Sequence, residues 1–168
     1  MLTQPFSIEK LEPQLAAIIT RDLQKVEEKL LEATSSTDPF ISEVASHLAQ
    51  AGGKRLRPLL CLITGQLGRP TAELLNAAVV VELTHLATLY HDDVMDEATK
   101  RRGAESVNSR WNNTIAILTG DFLFAKASQI LAALGHEAVL LQAKTFERLV
   151  SGQIQETVGP SNPNSGVW

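Results

Sequence analysis

The fold turns on the stretch Thr71-AELLNAAVVVELTHLATLYHDDVMD-Glu97. It contains neither glycine nor proline and is apolar on most of its circumference, so it reads as one long helix. A helix that is apolar nearly all round is a buried central one. Its apolar core, Asn76 to Tyr90, is interrupted by Glu82, Thr84 and His85, and it closes on Asp92, Asp93 and Asp96.

Working outward, the flanking segments are helical too. Leu15, Ile18, Ile19, Leu23, Val26, Leu30 and Leu31 form a stripe at helical spacing, which predicts a first helix from about Ser7 to Ala33. Asp38 is placed to cap a second helix, with Pro39 in its first turn, ending near Gln50. Gly52-Gly53 breaks the chain, and Pro58 is expected to start a third helix ending near Gly65 to Gly68. After Arg101-Arg102-Gly103 come a short polar helix and two longer ones, Thr114 to Leu134 and His136 to Val158. No alternating strand pattern of useful length is present, so the fold class is all-α. Residues 159–168 have loop composition.

Composition narrows the function. The 168 residues are 44% apolar with a net charge of −4, which fits one globular domain and argues against general nucleic-acid binding. One cysteine, Cys61, leaves no intramolecular disulfide and is read as a buried structural thiol in a reducing, cytoplasmic setting. The N-terminus lacks a secretory pattern, and no apolar run approaches the roughly 20 residues of a membrane span.

Three clusters carry chemistry. Asp92 and Asp96 lie four apart, on one helix face, where two unpaired carboxylates repel and call for a cation. Magnesium suits them, because it takes few carboxylates and keeps positions for water and phosphate oxygens. A solvated acidic helix end is the competing reading, and the apolar setting weighs against it. His85 lies two turns before Asp92 on the same side. Lys54 and Arg57 flank the Gly-Gly turn at a helix start, where backbone N–H groups also favour anions. Arg101 and Arg102 follow the aspartates closely. Each basic cluster alone is most simply a solvated patch; together beside one apolar helix they indicate a cleft for two diphosphates.

GGKRLRP at Gly52–Pro58, HDDVMD at His91–Asp96 and RRG at Arg101–Gly103 resemble, in order and spacing, the motifs of trans-prenyl diphosphate synthases. Gly120-Asp121 and Ser151-Gly152-Gln153 with Glu156 are similar to that family as well, whereas terpene cyclases share only the aspartate motif. The resemblance implies an isoprenoid-synthase-type helical bundle in which an allylic diphosphate ionises and isopentenyl diphosphate attacks the cation. It implies Asp92 and Asp96 as magnesium ligands with Asp93 supporting them, and Arg101 on the allylic diphosphate. Lys54, Arg57, His85 and Arg102 would hold isopentenyl diphosphate, with Gln153 near the allylic side. Ala87 and Thr88 occupy the positions that set product length, so small side chains there imply a long-chain or geranylgeranyl-type product, and Ala87→Phe is expected to shorten it. Phe122, Leu123 and Phe124 are expected to shape the depth of the tunnel.

The family's second aspartate motif and its Lys-Thr pair, both beyond the Gly-Gln segment, do not occur; Lys144-Thr145 precedes Gln153 and reads as a surface pair. Residues 1–168 are therefore expected to be the N-terminal portion of one prenyl synthase domain, inactive or weakly active alone, with one side of the long apolar helix uncovered. The resemblance also implies a homodimer or heterodimer. The alternatives are a non-catalytic interaction subunit of a heteromeric synthase and a product without function.

Overall fold

The computed structural model describes Ile8 and residues 11–159; the predicted helix start at Ser7 and the tail 160–168 lie outside them. Among the described residues the chain forms seven helices and one minimal hairpin. Helix α1 spans Pro13–Ala33, α2 Pro39–Gln50, α3 Leu56–Gly65 and α4 Glu73–Met95. Strands β1, Lys100–Arg101, and β2, Ala104–Glu105, then pair antiparallel, and α5 (Val107–Arg110), α6 (Asn113–Ala132) and α7 (His136–Val158) complete the order.

Local chemistry sets the boundaries. The Glu12 carboxylate accepts from the Gln14 and Leu15 amides, both at 3.1 Å, and so starts α1 at Pro13. Asp38 caps α2 through the Phe40 amide at 2.8 Å, with Pro39 at the first helical position. Helix α3 starts two residues before Pro58, because Arg55 takes a left-handed conformation (φ 46°) and turns the chain directly into it.

Helix α4 is the axis of the bundle. Its Val79, Leu83, Leu86 and Tyr90 are buried against Ile19, Val26 and Leu30 of α1, Leu59 and Leu62 of α3, and Leu123 and Ala127 of α6. The Tyr90 hydroxyl donates to Val44 O at 2.7 Å, tying α4 to α2. The most extensive packing is between α4 and α6, and Gly120 makes it possible. A Cβ there would stand 2.3 Å from Nε2 of His91 and 3.1 Å from Ala87 O.

Two expectations change here. Helix α4 is covered except for Met95 and the face that lines a groove, and exposed apolar residues gather on α6 (Ile117, Leu118) and α7 (Leu141, Leu149, Ile154, Val158). Helix α6, Asn113–Ala132, is long and apolar enough to cross a membrane by length and composition, contrary to the expectation that no apolar run approaches that length. Only one face of it packs on α4: Leu123 is wholly buried and Ala127 nearly so, while Ile117 and Leu118 stay exposed.

Candidate diphosphate site

A groove of about 950 Å³ runs between α3, α4, α6 and α7. Arg57, His85, Thr88, Asp92 and Gln153 all line it. His85 and Asp92 are two turns apart along α4, a rise of roughly 10 Å. Phe124, Phe146, Leu149 and Ile154 make much of the remaining wall apolar. Gln142 Nε2 donates to Thr84 Oγ1 at 2.9 Å and holds α7 against α4.

At the acidic end, Asp92 is half-buried and Asp96 is exposed at the last turn of α4. Burial and the neighbouring Asp96 charge lift the Asp92 carboxyl above the ordinary carboxylate range, while Arg101 pulls the other way. The C-terminal end of a helix is itself electronegative, so two carboxylates there favour a bound cation. Among the described residues no three His, Cys, Asp or Glu side chains converge tightly enough to make a metal cage. A carboxylate pair open to solvent suits magnesium, which completes its shell with water and phosphate oxygens.

Asp93 does not belong with that pair. Adjacent helical residues do not face each other, and Asp93 is wholly buried, with Arg101 Nε donating to its Oδ1 at 2.6 Å. Asn108 Nδ2 donates to Asp93 O at 3.1 Å and to Ala98 O at 3.0 Å, so this corner braces the hairpin. The structure thus places Asp93 as a support for Arg101, away from the groove. Arg101 is tied to it and lies 3.9 Å from Asp96 Oδ2, outside the groove lining.

The basic end is assembled from two turns. Gly52 (φ 80°), Gly53 (φ 148°) and Arg55 carry one, and Arg102 (φ 55°) with Gly103 (φ 81°) the other. Arg102 Nη1 donates to Gly52 O and, at 3.3 Å, to Leu48 O. Gly53 leaves room for the Arg102 guanidinium, which would be 2.9 Å from any Cβ there. Lys54 and Arg57 remain exposed. His85 is half-buried, and burial together with Arg57, Arg102, Arg55 and Arg101 holds its pKa down at about 4. The ring is therefore neutral at pH 7 and can donate one hydrogen bond without charge.

Arg55 does not stand out in the sequence from its neighbours Lys54 and Arg57. It is buried, donates to Glu27 Oε1 at 2.5 Å and Oε2 at 3.0 Å, and to Glu82 Oε1 at 2.9 Å. Burial opposes its charge, and Glu27 and Glu82 more than offset that. The signal was available: Glu82 inside an apolar helix needs a cationic partner.

The product-length residues divide. Thr88 lines the groove, but Ala87 is wholly buried against α6, because α6 approaches too closely to leave a channel between the two helices. Of the three tunnel candidates on α6, Phe124 lines the groove, Leu123 is in the core and Phe122 is only partly buried under Lys126. Thr145 is exposed, as a surface residue, and also lines the groove wall.

An all-α bundle with Asp92, His85 and Arg57 along one largely apolar groove is of the isoprenoid-synthase type. The polyprenyl synthetase family model matches residues 38–165, and the chain belongs to that family. It is 48% identical over 148 residues to nonaprenyl diphosphate synthase of Mycobacterium tuberculosis, covering 87% of this chain and 44% of that protein. It is 40% identical to heptaprenyl diphosphate synthase component 2 of Geobacillus stearothermophilus, covering 83% and 44% respectively. Among solved structures, geranylgeranyl pyrophosphate synthase from Corynebacterium glutamicum, complexed with calcium and isoprenyl diphosphate, superposes with a TM-score of 0.79. Identity there is 47%, over 90% of this chain and 46% of the other. The chain thus spans a little under half the length of the curated relatives it matches.

Proposed function

We propose that this chain supplies the diphosphate-binding wall of a prenyltransferase that condenses an allylic diphosphate with isopentenyl diphosphate, giving a longer trans-polyprenyl or geranylgeranyl-type diphosphate. The observation that carries the reading is that Asp92 and the pair Arg57 and His85 line one groove. Asp92 and Asp96 would hold magnesium, which when bound neutralises the charge that develops on the leaving pyrophosphate. Asp93 keeps Arg101 beside them. Lys54, Arg57 and Arg102 hold the second diphosphate as cations, and neutral His85 donates a hydrogen bond to it. The apolar wall between the two ends accommodates the prenyl chain and excludes water from the allylic cation. Gln153 on α7 closes the allylic side.

The C. glutamicum enzyme's complex with calcium and isoprenyl diphosphate supports a divalent ion at the acidic end. The name of the G. stearothermophilus relative, component 2, and the apolar residues exposed on α6 and α7 support assembly with a second subunit.

The basic end is tested without metal. Titration calorimetry in EDTA should show isopentenyl diphosphate binding that weakens roughly tenfold in Arg57→Gln, the loss of one charge-assisted contact. Affinity unchanged in Arg57→Gln would reject the assignment.

A further inference from the structure

Glu82 is 1% exposed, midway along α4, in a helix otherwise apolar at that depth. Its Oε1 accepts from Arg55 Nη1 at 2.9 Å and lies 3.5 Å from Arg102 Nη2. Arg55 is occupied on its other donors by Glu27 and by Ala49 O at 2.8 Å, so its charge is consumed inside the protein. Arg102 is held internally as well, but within electrostatic reach of His85 and Arg57 at the basic end. Its guanidinium is held by Leu48 O, Gly52 O and the bare Cα of Gly53 on one side and by Glu82 on the other.

An acidic side chain beside an anion site weakens anion binding by charge alone. Its presence there calls for a gain that outweighs the repulsion. We propose that Glu82 is a positioning residue: it fixes the Arg102 guanidinium toward the diphosphate, while Arg55 Nη1 anchors the same Glu82 oxygen. A planar fork loses affinity when its orientation is lost, even though its charge persists. This inference rests on the reading of Arg102 as a diphosphate ligand.

The two effects of Glu82 have opposite signs, which makes the test decisive. Metal-free titration calorimetry with inorganic pyrophosphate compares the chain with Glu82→Gln, Glu82→Asp, Arg102→Gln and the double variant Glu82→Gln/Arg102→Gln. Positioning predicts that Glu82→Gln binds more weakly, by roughly tenfold. Glu82→Asp, which keeps the charge but is one methylene short, should weaken binding as well, and it serves if the Gln variant does not fold. In the Arg102→Gln background, Glu82→Gln should cause no further loss, because the group it positions has gone. A general structural defect would instead add to the Arg102 effect. Tighter binding by Glu82→Gln, parent-like binding by Glu82→Asp, or additive losses in the double variant would each overturn the inference. If the parent chain binds no pyrophosphate, or Arg102→Gln binds as the parent does, the diphosphate reading itself falls and this inference with it.

Discussion

Gly120→Ala is the perturbation for which the structure gives the clearest magnitude. The added methyl would lie 2.3 Å from His91 Nε2, 2.5 Å from His91 Cδ2 and 3.1 Å from Ala87 O. The ring must swing out, giving up the hydrogen bond from Nε2 to Ile117 O at 3.0 Å, or α6 must move off α4. Overpacking of this kind costs about 1–3 kcal/mol, and the lost hydrogen bond about 1 kcal/mol more. Alanine recovers about 1 kcal/mol of helix propensity over glycine. The net is about 1–3 kcal/mol of destabilisation, or a melting temperature lower by about 3–10 °C for a chain of this size. Thermal unfolding followed by far-UV circular dichroism measures it. In a His91→Ala background the main obstacle is absent, so the same substitution should be near neutral, a coupling of at least about 1 kcal/mol. A Gly120→Ala variant that melts at or above the parent temperature would refute the packing argument.

His85 makes stability pH-dependent. Its pKa falls from 6.5 to about 4 on folding, so below about pH 6.5 the unfolded chain binds a proton that the folded chain does not. Stability should therefore fall as pH drops from 6.5 towards 4, by on the order of 1–2 kcal/mol after discounting for the ring's partial exposure. Urea titrations at pH 7 and pH 5 should show that slope reduced in His85→Gln; an identical slope would contradict it. Ala87→Phe should chiefly destabilise the fold, because the residue is wholly buried, and the cost should exceed about 2 kcal/mol. Thr88→Phe, in the groove, should instead leave the melting temperature within a few degrees and weaken a long allylic diphosphate more than a short one. Equal effects of Thr88→Phe on the two ligands would argue against an apolar chain in this groove.

Most of the helical layout was legible because its signals are local. Asp38-Pro39 caps α2 as its residues imply, and the unbroken apolar segment after Thr71 is α4 to within two residues at each end. The signals that failed were those decided by tertiary geometry. Pro58 looked like a helix start, yet the left-handed turn at Arg55 set it two residues earlier. The two-residue hairpin at 100–105 is too short for any alternation to show. Asp92 and Asp93 look equivalent in sequence, but one helical step sends the first to the groove and the second into the core against Arg101. Ala87 and Thr88 separate for the same reason, with α6 settled over one of them. Arg55 is not legible because a run such as Lys-Arg-Leu-Arg does not say which cation turns inward. Only the buried Glu82, far along the chain, identifies it.

We propose that Asp92 and Asp96 bind a divalent ion together with an allylic diphosphate. Titration of the chain with an allylic diphosphate, with and without magnesium, measures it directly. Binding should require magnesium and should weaken by at least roughly tenfold in Asp92→Ala, the loss of one of two carboxylate ligands. Equal affinity with and without magnesium, or binding by Asp92→Ala as tight as the parent's, would contradict a metal-bridged site.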